Sequence, residues 1–169
     1  GMHNSLEWAV SAAASIGIHF LDDGFSIEIY EADGPLHISG SMGQHSSASA
    51  ELVVNRLTDL KARSTTTLQY AVQSAAIDRP GQLVIAILGR MTPADANTLL
   101  RVRRNRAQSL AMMMDVDSFA DQPGDEQQRA QHRLAAQILR DNQWWVIEVS
   151  RGTSVAEAWS ALEQLSRAA

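Results

Sequence analysis

The first part of the chain shows a helical pattern of apolar positions. From Asn4 to Leu21 apolar residues recur at spacings of three and four, which is typical of an amphipathic helix. The residues that this spacing places on one face are Leu6, Val10, Ala13, Gly17 and Phe20. Asn4 and Glu7 have the spacing of a capping box, and Asp22-Asp23-Gly24 predicts the end of the helix.

The next segment changes to a period of two, the period of a β-strand. Apolar and other side chains alternate from Phe25 to Glu31, and a short extended segment follows at Leu36–Ser39. The residues between them, Asp33-Gly34-Pro35, are typical of a turn, so the two segments predict a β-hairpin. Gly40–Ser49 is rich in glycine and serine and is expected to be a loop. Helices are then expected over Ala50–Ala62 and Leu68–Ala76.

The second half of the chain alternates between strands and helices. The expected elements are a strand over Gln82–Leu88, a helix from Pro93 to about Arg104, a strand over Ala107–Val116, a helix over Asp125–Asp141, a strand over Trp144–Val149 and a last helix after Gly152. Helix caps are expected at Thr92, with Pro93 and Asp95 after it, and at Ser154 with Glu157. This order predicts an α/β fold with a mostly parallel sheet, right-handed crossovers and helices on both faces.

Several hydrophobic residues in these strands are expected to fill the core. Met112, Met113 and Met114 follow one another in the strand over Ala107–Val116. Trp144 and Trp145 should point to opposite faces of the last strand, because neighbouring residues in a strand alternate.

The composition is that of one ordinary domain. We interpret residues 1–169 as a single α/β domain, with Gly1 as an expression-tag remnant. The chain has no cysteine, which excludes disulfides and thiolate metal sites. Its net charge of -5 argues against a nucleic-acid binder. The arginines at 101, 103, 104 and 106 are interpreted as the solvated end of a helix.

The sequence contains no apolar run long enough to cross a membrane. The run Leu83–Leu88 is far shorter than the ~20 residues that a membrane helix needs. Met2 is followed by polar residues, so no signal peptide is evident. We therefore expect a soluble, cytoplasmic chain.

One pair of carboxylates suggests chemistry. Asp115-Val116-Asp117-Ser118 lies at the end of an apolar strand and resembles the first motif of the haloacid dehalogenase phosphohydrolases, in which two carboxylates hold magnesium and supply a nucleophile. It departs from that motif at Phe119, where that family has Thr or Val, and by lying late in the chain. A solvated strand end is the simpler interpretation. The alternative prediction is a magnesium-dependent phosphohydrolase that uses Asp115 and Asp117 for metal binding and catalysis.

Other motifs of catalysis or cofactor binding are missing. His19, His37, His45 and His132 have no metal-ligand spacing, and we expect His19 to pack at the edge of its helix. The chain has no G-x-S-x-G elbow and no glycine-rich phosphate loop. We therefore expect a non-enzymatic protein with no cofactor.

Three segments together resemble a known family. They are Leu6–Ile16, then Val84–Thr92 with Asp95-Ala96, and finally Trp144–Ile147 followed by Gly152 and Ala158-Trp159. In this order they resemble the C-terminal part of the bacterial domain-of-unknown-function family 58, over nearly the whole chain. That region is similar to von Willebrand factor A domains, which have a Rossmann-like sheet.

The resemblance implies a protein-interaction module. Members of the family usually carry N-terminal membrane helices and are often encoded beside a MoxR-type AAA+ ATPase, so such an ATPase is the implied partner. Von Willebrand factor A domains bind a divalent cation through Asp-x-Ser-x-Ser after their first strand. This chain begins after the place of that strand. At the end of the strand Gln82–Leu88, where an Asp would help to bind the cation, it has Gly89-Arg90. Thr65 or Thr66 could match a loop Thr that also binds the cation in those domains. It would be the single ligand of that set in this chain, so no metal site is expected.

The absence of a first strand predicts a gap in the sheet. In the family that strand lies between those matching Phe25–Glu31 and Gln82–Leu88. Removing it would leave about 10 Å between strands that are normally ~4.8 Å apart. We expect either that these two strands close up and pair, or that a second chain pairs with their free edges in a homodimer.

Overall fold

The computed structural model describes residues 4–31, 34–38, 46–59, 67–75, 82–102, 108–122 and 124–168. The helices are α1 (Ser5–Asp22), α2 (Ser46–Thr58), α3 (Thr67–Ala75), α4 (Pro93–Leu99), α5 (Val116–Phe119), α6 (Glu126–Asp141) and α7 (Val155–Arg167). The strands are β1 (Ile27–Glu31), β2 (Gly34–Ile38), β3 (Val84–Leu88), β4 (Ser109–Met114) and β5 (Trp145–Val149). None of the helices in these ranges is long and apolar enough to cross a membrane.

Three strands form the parallel sheet that the alternating pattern predicts. Their order is β3–β4–β5, with Val84 opposite Ser109 and Leu110 opposite Trp145. All six residues of the middle strand β4 are buried. Its continuous apolar pattern therefore reflects cover on both faces, as expected for a parallel strand.

The two faces of this sheet are covered by different helices. Leu110, Met112 and Met114 point to the face covered by α1 and α7. Ala111 and Met113 point to the opposite face, which packs against α3, α4 and α6. The methionine run thus fills two cores, as a strand's alternation requires.

The two tryptophans behave in the same way as the methionines. Trp144 is 2% exposed and belongs to the core under α4 and α6. Trp145 is partly buried under α1 and α7. The prediction that they face opposite sides of the sheet is confirmed.

The predicted hairpin also forms. β1 and β2 pair antiparallel, with Ile27 opposite Ile38 and Glu31 opposite Gly34. The expected turn residues Gly34 and Pro35 are instead part of β2. Proline is tolerated there because β2 has no second neighbouring strand among the described residues, so its missing N–H breaks no ladder on that side.

The prediction that the strands on either side of the gap pair is wrong for the described strands. β1 is bonded to β2 alone, and β3 to β4 alone, so the hairpin forms a sheet of its own. The physical reason is a separate apolar core, in which Ile27 and Ile29 pack with Leu21, Val53 and Leu57. Whether a second chain pairs with the free edges stays a prediction.

Helix α1 packs on two sides. Trp8, Ala12 and Ile16 contact the three-stranded sheet, and a second set of residues that includes Val10 and Ala13 contacts α2 and β1. The predicted apolar face corresponds largely to the second side. At Gly17 an added Cβ would lie 3.2 Å from Ile27 Cδ1, so glycine lets the hairpin come close to the helix.

Helix ends follow the predicted caps. Asn4 Oδ1 accepts a hydrogen bond from the N–H of Glu7 at 2.8 Å. Thr92 with Asp95 and Ser154 with Glu157 form reciprocal capping boxes. Gly24 has a φ of 86°, the left-handed conformation that ends α1 where Asp22-Asp23-Gly24 predicted.

Some boundaries differ from the prediction. α2 begins at Ser46 instead of Ala50. α4 ends at Leu99 and continues as a 3₁₀ turn over Leu100–Val102 instead of running to Arg104. Strand β4 ends at Met114 instead of Val116, because Asp115 caps the short helix α5. Residues 103–107, which include three of the four clustered arginines, lie outside the described residues.

Candidate functional site

A small cleft opens at the carboxyl edge of the parallel sheet. The segments that follow β3, β4 and β5 meet there, as parallel strands require, and α6 forms the opposite wall. The cleft has a volume of about 180 Å³. All but two of its lining residues are polar or charged, and they are Arg90, Met114, Asp115, Val116, Asp117, Gln128, Arg129, His132, Arg133, Glu148 and Ser150. Ligands of open α/β sheets commonly bind at this edge.

The Asp115 carboxylate forms a hydrogen bond within its own segment of the chain. Its Oδ1 accepts a hydrogen bond from the N–H of Ser118 at 3.3 Å, which caps the first turn of α5. The Ser118 hydroxyl donates to the Asp115 carbonyl at 2.7 Å and accepts from the N–H of Arg151 at 2.8 Å. The segments after β4 and β5 are therefore joined through Ser118, and the Asp115 carboxylate is exposed at the mouth of the cleft.

Asp117 is neutralised by an arginine. Its Oδ1 lies 2.5 Å from Arg90 Nη2, and it also accepts the N–H of Gly124 at 3.0 Å. The Asp117 side chain is only 12% exposed. Arg90 also donates to Gln128 Oε1 on α6. Arg90 therefore connects the end of β3 to the segment after β4 and to α6.

His132 lines the cleft and carries one buried donor without a partner among the described residues. The N–H of Met91 donates to His132 Nδ1 at 3.1 Å, so the neutral ring carries its proton on Nε2. Nε2 is buried and has no hydrogen-bond partner among the described residues. Burial lowers the pKa of His132 below its ordinary value, although Glu148 and Asp115 act in the other direction. The neutral ring is thus favoured, and it offers Nε2–H as a donor.

Arg129 supplies a second donor from the same helix. Its Nε is buried and also lacks a partner among the described residues. Its Nη2 lies 2.8 Å from Glu126 Oε2, and Arg133 Nη2 lies 2.8 Å from Glu126 Oε1. The hydrogen bond from Arg133, followed by the charge of Arg129, lowers the pKa of the exposed Glu126 carboxyl. Residues 129, 132 and 133 lie on one face of α6 because they are spaced by three and four.

The charges that line the cleft balance. Three arginines face three carboxylates: Asp115, Asp117 and Glu148. Each arginine is paired with a carboxylate, Arg90 with Asp117 and the other two with Glu126. Asp115 and Glu148 have no cation within 4 Å among the described residues. Among the described residues, the lining therefore carries two buried N–H donors without a hydrogen-bond partner and two exposed carboxylates without an ion-pair partner.

The structure brings some of the sequence candidates together and not others. Asp115 and Asp117 line the same cleft, while His19 is exposed on α1 with Nε2 3.6 Å from Asp23 Oδ2. The side chain of His37, and all of His45, Thr65 and Thr66, lie outside what the structure describes. No three described His, Asp or Glu side chains are grouped so as to hold a metal ion.

Sequence reasoning missed the contribution of α6. His132 has no metal-ligand spacing to another histidine, so its position in the sequence does not mark it. The useful signal was the helical spacing of Arg129, His132 and Arg133, polar residues on a helix whose start follows the carboxyl end of β4.

Comparison with models of protein families, with curated proteins and with solved structures finds no match.

Proposed function

We propose that this chain is a non-enzymatic protein-interaction domain of the von Willebrand factor A-like type. The observation that carries the proposal is the arrangement of the strands. A hairpin, β1–β2, is followed by three parallel strands in chain order, with helices on both faces. This is the order along the chain that the family resemblance implies when its first strand is absent, although the hairpin forms a sheet of its own instead of joining the parallel strands.

The size of the cleft supports binding of a partner over turnover of a substrate. Pockets for small-molecule ligands and cofactors are commonly ~300–1,000 Å³. A cleft of about 180 Å³ suits one side chain from another protein. The more buried carboxylate, Asp117, is held by Arg90 and by the N–H of Gly124, which reduces its capacity to act as a base or a metal ligand.

The partner proposed from the resemblance is a MoxR-type AAA+ ATPase. The test is a binding measurement between the purified ATPase of the same genome and the full-length protein, by pull-down and biolayer interferometry. Binding by the parent protein that weakens in an Asp115→Ala Glu148→Ala double variant supports the proposal. Absence of binding by the full-length protein, with and without nucleotide on the ATPase, contradicts it.

The alternative function is a magnesium-dependent phosphohydrolase. It is favoured by one observation, that Asp115 and Asp117 both follow β4 and line the same cleft. A phosphatase screen with magnesium should compare the parent with Asp115→Asn, which keeps the shape of the side chain and removes its charge. Equal background activity in the two proteins would eliminate this alternative, and loss of a measured activity in Asp115→Asn would establish it.

A further inference from the structure

We propose that the cleft at the carboxyl edge of the sheet binds a primary carboxamide, the side-chain group of Asn or Gln, presented by a protein partner. The inference rests on the proposed interaction function and specifies its chemistry. It depends on two buried donors that lack a partner among the described residues and on two exposed carboxylates that form no ion pair with the described cations, all carried by residues that line one small cleft. Those groups are the donors His132 Nε2 and Arg129 Nε and the carboxylates of Glu148 and Asp115.

The donors require an acceptor. A buried N–H without a partner costs about 1–3 kcal/mol, so native proteins normally satisfy such groups with protein, water or ligand. His132 Nε2 and Arg129 Nε are both buried, and they come from residues one helical turn apart on α6. One carbonyl oxygen can accept from two donors because it has two lone pairs.

The two carboxylates are exposed and can accept hydrogen bonds from a bound group. Glu148 lies on β5, and Asp115 follows β4, so both stand across the cleft from α6. Both line the same cleft as His132. Neither carboxylate forms an ion pair with His132 in the part of the chain that the structure describes. The –NH2 of a carboxamide supplies two N–H donors on the side away from its carbonyl oxygen.

Charge balance favours a neutral occupant. The three arginines and three carboxylates of the lining cancel, and Glu126 adds a further negative charge beside Arg129 and Arg133. An anion would face Glu148 and Asp115 without a free arginine to neutralise it. A cation would meet two N–H donors that it cannot satisfy. A carboxamide matches both sets of groups without adding a charge.

The test uses three probes of nearly the same shape: acetate, acetamide and acetamidinium. They differ in charge and in their donors and acceptors. Binding to the full chain is followed by NMR, through the ¹H–¹⁵N signals of Arg129 Nε and His132 Nε2. We expect acetamide to bind with an affinity about tenfold higher than either ion, a difference of about 1.4 kcal/mol. A stronger response to acetate or to acetamidinium, or no response to any of the three, overturns the proposal.

Two variants check the assignment of groups. His132→Phe removes the Nε2–H donor and should weaken acetamide binding about threefold to tenfold, the usual effect of losing one neutral hydrogen bond. Glu148→Gln is the second variant, because Glu148 is exposed and its replacement leaves the core intact. It should weaken acetamide binding and move the preference towards acetate. Unchanged affinities in Glu148→Gln contradict the proposal even if His132→Phe does not fold.

The outcome separates this inference from the function on which it rests. If the ATPase binds the parent and both cleft variants equally, and acetamide does not bind, the interaction function stands and the carboxamide site fails. If acetamide binds as expected and the ATPase does not, the site stands and the identity of the partner fails.

Discussion

Arg90 and Asp117 connect the ends of two neighbouring parallel strands, with Arg90 Nη2 2.5 Å from Asp117 Oδ1. Arg90 follows β3, and Asp117 belongs to the helical turn after β4. The Asp117 side chain is nearly buried and Arg90 is about a third exposed, so solvent screens this pair less than an ordinary surface ion pair. The pair also brings Gln128 of α6 to the cleft, because Arg90 donates to it.

Removing either partner of this pair should destabilise the fold. Arg90→Ala leaves the Asp117 carboxylate with the N–H of Gly124 as its remaining hydrogen bond in the described structure. We expect the free energy of unfolding to fall by about 1–2 kcal/mol. Urea unfolding of Arg90→Ala, Asp117→Asn and the double variant measures the coupling. Additive effects of the two substitutions would show that the pair contributes nothing.

Gly124 should not tolerate a side chain. A Cβ at this position would overlap Asp117 Oδ1 and lie 3.0 Å from both terminal nitrogens of Arg90. We expect Gly124→Ala to displace the ion pair and to lower the unfolding free energy by about 1–2 kcal/mol. Gly89→Ala is the matched control on the same edge of the sheet, because its Cβ would meet only Val116 Cγ2 at 4.0 Å. Equal stability of the two variants would contradict the prediction.

His132 should make stability depend on pH. Burial lowers the pKa of its imidazole in the folded chain relative to the ordinary value of 6.5. Below that value the unfolded chain binds more protons than the folded one, so the free energy of unfolding falls as the pH decreases. The contribution is fully present above about pH 6.5. The lowered pKa of Glu157, due to its backbone hydrogen bond with Ser154, acts only below its ordinary value of 4.5.

The pH effect can be measured with one substitution. His132→Asn keeps an acceptor for the N–H of Met91 and removes the titrating ring. Urea unfolding between about pH 7.5 and about pH 5 should show a smaller loss of stability in His132→Asn than in the parent. The same loss in both proteins would assign the pH dependence to other groups.

Trp8 should be a major contributor to stability. It is 1% exposed, packs against the sheet, and donates from Nε1 to the Thr153 carbonyl at 2.7 Å. Trp8→Phe should cost about 1–2 kcal/mol through the lost hydrogen bond and volume, and Trp8→Ala about 3–5 kcal/mol. Tyr70→Ala is the control, because Tyr70 is 64% exposed. Calorimetry in which Trp8→Phe matches the parent would contradict this assignment.

Local signals predicted more of this molecule than long-range ones. The helix caps at Thr92 and Ser154 and the strand alternation at Trp144-Trp145 depend on neighbouring residues, and all were predicted correctly. The inner face of α1 was missed because alanines occupy several sides of that helix, so spacing alone does not show which side meets the sheet. Ala12 is fully buried, yet it looks no more apolar than Ala13 or Ala14.

The candidate site was predicted only in part, for a similar reason. Asp115 and Asp117 could be placed at the end of β4 because a single strand fixes them. Their partners could not, since Arg90 is 27 residues from Asp117 in sequence and the ion pair exists only after β3 and β4 align. The hydrogen bond from the N–H of Met91, 41 residues away, occupies His132 Nδ1 and leaves the proton of the neutral ring on Nε2.

The two-sided packing of α1 has a consequence for cooperativity. Hydrogen bonding divides the described strands into two sheets, but one helix buries apolar residues against both of them. Opening of the hairpin would therefore expose part of α1 and weaken its hold on β3 and β4. The two sheets should exchange their protected amide hydrogens as a single foldon, with α1 as the element that couples them.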